Sequence, residues 1–313
     1  MKKLKIKDII KIWKNNKKEY VKTSTYSAYV LTIKNHIEPF FGEKHDIYEE
    51  DVQKFVLEKL NQGLSQKSVK DILVVLKMIF KYACSQKYLL YKEINAKFPT
   101  VKKKEPLGVL NKKDYLKIIN HINANFSFKN LGVFICLSTG MRIGEICGLR
   151  WGDVNINNES IKVERIVQRV YTNVDDGVTE VLITPPKTVN AIREVPISSE
   201  LKKVLKPLKK ITNQNFYIIT NSLKPLEPRS YRNYYNSLLK RLEIPKLKFH
   251  SLRHSFATRC IEAKCDYKTV SSILGHSSIN TTLNLYVHPN LEQKKKCIEQ
   301  MWKVLKWINC KKL

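Results

Sequence analysis

Acidic residues are scarce in this chain. Its 313 residues hold 28 Asp and Glu against 57 Lys and Arg, a formal charge of +29. An AT-rich genome inflates lysine, yet the imbalance remains large. Charge of that size on a folded chain points to a polyanion, either nucleic acid or an anionic membrane. Long apolar runs are also missing: none approaches the ~20 residues that cross a bilayer. The basic N-terminus "MKKLKIKDIIKIWKNNKKEY" alternates charge with aliphatics and lacks the apolar segment and cleavage site of a signal peptide. Nucleic acid is therefore the expected partner, with no membrane. Glycine and proline number only 10 and 11, which excludes a fibrous or low-complexity chain. The seven cysteines are odd in number, scattered, and include no C-x-x-C pair. That spacing argues against a zinc site and for a reducing, cytoplasmic setting.

Arginine is absent from the first third. Residues 1–104 contain 23 Lys, 11 acidic residues and no Arg, and all ten arginines follow. Lysine is a point charge suited to neutralising phosphate, whereas arginine makes shaped, bidentate contacts. The first part reads as a DNA-gripping module and the second as something more demanding geometrically. Within "LSQKSVKDILVVLKMIFKYACSQKYLL", Val69, Ile72, Leu73, Leu76, Phe80 and Ala83 fall on one helical face, with Ser65 as N-cap. "SAYVLTIKNHIEPFFG" and "EEDVQKFVLEKLNQG" also read as helices, and no strand pattern precedes residue 100.

"FPTVKKKEPLGVL" breaks the pattern and reads as an interdomain linker. The expected layout is a helical domain over 1–103, a linker over 104–108 and a second domain over 109–313, with a final helix from about 291. That second domain begins with helices at "NKKDYLKIINHI" and "LGVFICLSTG". β-branched segments follow at "SIKVERIVQRVYT", "EVLITPP" and "REVPIS". Helices then return to the end of the chain. The fold class is mainly α with a small antiparallel β-sheet.

Four stretches carry candidate chemistry. In "STGMRIGEICGLRWGDV", Arg142 and Glu145 are spaced i, i+3 after a buried apolar helix, and Gly140 and Gly144 leave room for a ligand backbone. A guanidinium beside such a helix is costly unless an anion or carboxylate meets it. In "KFHSLRHSFATR", His250 and Arg253 are again i, i+3. His250 and His254 are i, i+4, but Arg253 between them would repel a metal, so His254 reads as a satisfied core or capping histidine. "ITPPKTVNAIREVPI" places Lys187 at what looks like a hairpin turn. In "SILGHSSINTTLNLYVH", Leu274–Gly275 ends a helix, His276 sits at the turn, Ser277 or Ser278 caps the next helix, and Tyr286 follows ten residues after His276.

Taken jointly, these stretches resemble the active-site pattern of the tyrosine recombinase, or phage integrase, family. "TGMRIGEICGLRWGDV", "HSLRHSFAT" and "LGHSSINTTLNLYVH" are similar to its three signature blocks, and the N-terminal helices resemble its SAM-like core-binding domain. The resemblance implies a mixed α/β catalytic domain and a site-specific recombinase that cleaves and rejoins DNA through a 3′-phosphotyrosyl link. Tyr286 would be the nucleophile. Arg142, Arg253 and His276 would meet the phosphate, Lys187 would be the general acid and His250 would handle protons near the nucleophile, with Glu145 in support.

The same resemblance implies no metal, ATP or other cofactor. Its expected partners are double-stranded DNA bearing core attachment sites and three further copies in a tetramer, with an excisionase or a host DNA-bending protein as accessory. The ten-residue gap before Tyr286 is more like integrases of temperate phages and conjugative transposons. No extra arm-site-binding domain is expected at the start of the chain, which keeps an Xer-type dimer resolvase as the alternative. A non-catalytic DNA-binding regulator is the reading from another class. Base-reading residues are expected within 60–80 and 229–241. In the tail, Ile298, Met301, Trp302, Leu305 and Ile308 are at helical spacing, for packing on their own domain or on a neighbouring protomer.

Overall fold

The computed structural model describes residues 4–100, 108–173, 177–186, 191–286 and 291–310, with backbone alone for 173, 292–294 and 304–310. The described chain divides into two compact units: 1–105 with 169–182, and 106–168 with 183–313. Most of the expected linker (104–107), together with Lys187 and His288, lies outside the described residues.

The first unit is built on helices α1 (Ile6–Tyr20), α2 (Thr23–Thr32), α3 (Glu38–Phe41), α4 (Glu49–Asn61) and α5 (Gln66–Ser85). One core joins Ile6, Ile9, Ile10 and Trp13 of α1 to Phe41, to Val52, Phe55 and Val56 of α4, and to the apolar face of α5. Ser65 caps α5 by accepting the Ser68 N–H at 3.1 Å. The segment expected as one helix around residue 35 instead widens into a π-helical turn over Ile33–Ile37. Pro39 follows directly and has no N–H to donate back to that turn, so the local ladder is already broken. The opposite face of α5 stays in solvent and lines up Lys67, Lys70, Lys77 and Lys81, with exposed Val74 among them.

The second unit opens with α6 (Lys112–Ala124) and α7 (Phe128–Thr139), capped by Asn111 and Ser127 through their side-chain oxygens. α7 is almost wholly buried, and the short α8 (Ile143–Gly148) follows it. In chain order five strands come next, β1 (Val154–Asn155), β2 (Ser160–Val163), β3 (Ile166–Asn173), β4 (Val178–Thr184) and β5 (Arg193–Pro196), with residues 169–182 of β3 and β4 counted in the first unit. They form two sheets where one was expected. An antiparallel sheet has the order β1-β2-β5, with Ile161 opposite Val195, and β3 pairs with β4 separately. "SIKVERIVQRVYT" therefore supplies two strands in different sheets. β4 and β5 belong to different sheets, and Lys187, expected at a turn between strands, lies outside the described residues.

Helices α9 (Ser199–Ile211), α10 (Pro228–Arg241), α11 (His250–Glu262), α12 (Tyr267–Leu274), α13 (Ile279–Tyr286) and α14 (Leu291–Cys310) complete the chain. The main core lies under α7, α8, α10 and the three-stranded sheet. A smaller cluster of Ala257, Val270, Leu274 and Tyr286 ties α11, α12 and α13 together. No described helix is long and apolar enough to cross a membrane.

Candidate active site

Two helix ends build the floor of the site. α7 stops at Gly140 (φ +66°) and α12 at Gly275 (φ +64°), both left-handed caps that glycine adopts without a Cβ clash. Each cap hands its carbonyl to an arginine. Gly140 O accepts from Arg253 at 2.9 Å, and Gly275 O accepts from Arg142 at 3.0 Å. A Cβ on Gly140 would lie 2.6 Å from Phe256 and 2.7 Å from Leu274. A Cβ on Gly144 would meet the Val167 carbonyl at 2.9 Å. The close approach that these two glycines permit is thus to the protein's own chain, not to a ligand backbone.

Arg142 does not lie on the helical face expected for it; it is the N-cap of α8. Glu145, at the third helical position, accepts the Arg142 backbone N–H at 2.8 Å and its guanidinium at 2.8 Å. Glu145 is itself buried and gripped bidentately by Arg193 from β5, with both N–H···O contacts at 3.0 Å. Burial pushes the Glu145 carboxyl up, but the hydrogen bonds and charge of Arg193, aided by Arg142, outweigh it and hold the pKa below its ordinary value. Arg193 also donates to Ile273 O at 2.7 Å, so it anchors the end of α12 that precedes His276. Arg142 and Glu145 border a cavity of about 360 Å³ that Ile166, Pro186, Ala191, Gly275 and Ser277 also line.

Arg253 is almost completely buried, at 1% exposure. One amino group reaches Gly140 O, while its Nε and second amino group have no partner among the described residues. Burial first, then the charge of Arg142, lowers its pKa to about 9, so it remains cationic at neutral pH. His250 opens α11 one turn before it. Burial, His254 and Arg253 depress the His250 pKa to about 4. His276 lies on the α12–α13 turn and its Nδ1 is 2.9 Å from the Thr282 hydroxyl. Burial and the charges of Arg253 and Arg142 hold its pKa at about 4 as well. A neutral ring whose Nδ1 accepts from Thr282 carries its proton on Nε2, where it can donate.

Tyr286 ends α13. Its Oη lies 2.7 Å from Nδ1 of His254, and the rings are 5.6 Å apart. Burial raises the phenol pKa, and the charges of Arg253 and Arg142 offset only part of that. The histidine hydrogen-bonded to the tyrosine is His254, a half-buried ring on α11 whose partner is the Tyr286 hydroxyl. Ser278 is the serine that precedes α13 as its cap, accepting the Asn280 N–H at 3.3 Å.

The fold thus gathers Arg142, Glu145, His250, Arg253, His276 and Tyr286 in one unit. Lys187 lies outside the described residues. Sequence reasoning passed over His254, Arg193 and Thr282. His254 had a signal, since it is one helical turn from His250 on the same face, but the pair was weighed only as metal ligands. Arg193 and Thr282 had none, because their partners are 48 and 6 positions away through tertiary structure. Among the described residues no group of three or more His, Cys, Asp or Glu is placed to hold a metal ion.

Comparison with known proteins agrees with this architecture. The profile of the phage integrase family matches residues 108–293, and that of the phage integrase N-terminal SAM-like domain matches residues 5–60. A XerC-like tyrosine recombinase of Caldanaerobacter subterraneus subsp. tengcongensis is 28% identical over 307 residues, which span 90% of this chain and 78% of the relative. The ICEBs1 integrase of Bacillus subtilis is 26% identical over 290 residues, spanning 87% and 76% respectively. Among solved structures, the Tn1549 transposon integrase in complex with transposon right end DNA superposes with a TM-score of 0.79. Its identity is 21%, over 95% of this chain and 99% of that one, a likeness of fold. Fold and sequence together place the protein among the tyrosine recombinases. The chain belongs to the phage integrase family.

Proposed function

We propose that the protein is the integrase of a mobile element and that Tyr286 cleaves DNA by attacking a backbone phosphodiester. The observation that carries this reading is Arg253, a buried cation with two unpartnered donors in the same small site as a buried tyrosine. Leaving such donors unpaired is costly, and a phosphate oxygen would satisfy them. Arg142, already oriented by Glu145, and Nε2 of His276 would hold the remaining non-bridging oxygens as charge builds in the transition state. Tyr286 Oη bonds to phosphorus, the 5′ oxygen departs and takes a proton, and a 3′-phosphotyrosyl link remains. Lys187 is assigned the general-acid role on the family resemblance. His250 remains beside the nucleophile's histidine and Arg253. The 5′ hydroxyl of a second strand then attacks the link and exchanges the strands. The bond energy is kept in the link, so the reaction needs neither ATP nor magnesium.

The lysine row on α5 fits phosphate contacts by a core-site domain over 1–103, and the exposed Arg229, Arg232, Asn233 and Lys240 of α10 fit DNA contacts from the catalytic domain over 109–313. An excisionase or a DNA-bending host protein would set the direction of the reaction. Assembly as a tetramer is supported by α14, whose Ile298, Met301 and Trp302 are 57%, 46% and 56% exposed and unburied by their own domain. The same unit offers a mostly apolar groove of about 530 Å³ lined by Tyr115, Ile119, Phe134, Leu137, Phe256 and Cys260. Deleting residues 297–313 should abolish DNA-dependent tetramers in sedimentation while single-site binding survives; unchanged tetramers would refute this role.

The decisive experiment uses a nicked suicide duplex carrying a core site from the element ends, in buffer with EDTA and without ATP. Wild-type protein should form a covalent adduct, and Tyr286→Phe should form none. A wild-type protein that binds the site yet yields no adduct would leave the non-catalytic regulator as the better reading. Recombination of chromosome-dimer sites, but not of element ends, would favour an Xer-type resolvase.

A further inference from the structure

We propose that His254 is the catalytic base of this site, the group that takes the phenolic proton of Tyr286 as the tyrosine attacks. The inference rests on the reading of Tyr286 as nucleophile. Its ground is geometric. Nδ1 of His254 lies 2.7 Å from Tyr286 Oη, within the distance that proton transfer requires. His254 stands on α11 directly after Arg253, so one helix fixes both the proton acceptor and the guanidinium that awaits the phosphate.

The groups facing His254 favour an unoccupied lone pair. On its own helix they are Arg253 and His250, the latter packed edge-on with ring centroids 4.5 Å apart. From α13 it meets Tyr286. From the turn between α7 and α8, the charge of Arg142 reaches His250 and Tyr286. The Glu145 carboxylate also reaches His250, but among the described residues no carboxylate is hydrogen-bonded to His254. Burial and the Arg253 charge lower the His254 pKa, which keeps the imidazole neutral and able to accept. A phenol whose own pKa is raised by burial needs such an acceptor.

The step balances. The Oη–H bond breaks as Oη–P forms, and the proton moves to Nδ1. The P–O5′ bond breaks, and the leaving oxygen is protonated by the acid assigned above to Lys187. The imidazolium produced lies beside a new anionic phosphodiester. In religation the 5′ hydroxyl gives its proton back to the deprotonated acid as its oxygen bonds to phosphorus, the bond from phosphorus to Tyr286 Oη breaks, and His254 returns its proton to Oη.

The test measures single-turnover adduct formation on the nicked duplex from pH 5 to 9, using the full chain as wild type, H254A, H254N and Y286F. Asparagine places a hydrogen-bonding group near the Nδ1 position but cannot take up a proton. H254A should slow cleavage by about 100-fold or more. H254N should bind the duplex with wild-type affinity, remain similarly slow, and lose the fall in rate that protonation of His254 produces at acid pH. Wild-type rate and pH profile in either variant would overturn the proposal. If H254A fails to fold by thermal melting, H254N decides alone. Absence of an adduct from wild type would instead overturn the reading of Tyr286 and this inference with it.

Discussion

The corner between α7 and α8 and the first turns of α11 each present one arginine to the same site, yet the two are held differently. Arg142 is 37% exposed, donates to Glu145 and to Gly275 O, and sits on a carboxylate that Arg193 also clamps. Arg253 is nearly inaccessible and, among the described residues, has one carbonyl partner, no carboxylate partner and two empty donors. The corner is a closed network that can form before any substrate arrives. The α11 guanidinium is incomplete until an anion completes it. A carbonyl cannot neutralise a buried cation, so the cost of holding Arg253 is recovered only on binding. The difference separates a residue oriented in advance from one reserved for the ligand.

The largest effect should come from breaking the incomplete half. Arg253→Lys keeps the charge but loses the planar fork, so no single ammonium can replace both empty donors. Adduct formation on the nicked duplex should fall by about 1,000-fold, at the upper end for loss of a transition-state donor. Inorganic phosphate should raise the melting temperature of wild type but not of Arg253→Lys, because an anion that binds only the folded site stabilises it by mass action. Equal phosphate stabilisation of both proteins would remove the distinction between the arginines. Arg142→Lys should cost about 100-fold in the same assay, with phosphate stabilisation largely kept.

Glu145→Gln tests the closed half through stability. It leaves Arg193, itself mostly buried, without its counter-charge, and breaking one partner of such a pair costs about 3–5 kcal/mol. The sign of the pH dependence follows from the depressed carboxyl. Its contribution is full above the unfolded value of about 4.5 and is lost as pH falls through the lower folded value. Melting temperature against pH should therefore drop more steeply below pH 4.5 in wild type than in Glu145→Gln. His250 and His276 add a separate loss between pH 6.5 and 4, since the unfolded chain protonates them first. Parallel curves below pH 4.5 would show that Glu145 is not the paired carboxylate described.

Much of this was legible in the sequence because it is local. The α5 face, the Ser65 cap, and the end of α12 at Gly275 depend on neighbours within a few residues. So do the positions of Arg142, His250, Arg253, His276 and Tyr286 within their motifs. What was not legible depends on partners brought together by folding. No spacing rule says that "REVPIS" contributes Arg193 to a carboxylate on α8, or that Gly140 and Gly275 aim their carbonyls at two arginines. The strand run after residue 160 misled for the same reason. β-branched residues mark strands but do not say which sheet each joins, so one expected sheet became two. His254 shows a subtler limit, in that its spacing from His250 was visible while the tyrosine opposite it, 32 residues on, was not.

The smallest expected effect concerns a residue with no charge at all. Thr282 is fully buried and its hydroxyl holds Nδ1 of His276 at 2.9 Å. If that hydroxyl fixes the tautomer with the proton on Nε2, it acts on the phosphate only through the ring. Thr282→Val keeps the shape and removes the hydrogen bond, worth about 1 kcal/mol in stability. Cleavage should slow by about 10-fold without loss of duplex affinity, and Thr282→Ser should restore the rate. His276→Gln should lower the rate further and make Thr282→Val silent in that background, since the hydroxyl then has no ring to orient. Equal losses from Thr282→Val in the presence and absence of His276 would show that the threonine serves packing of α13 instead, and that the third phosphate donor is held by the turn after Gly275 alone.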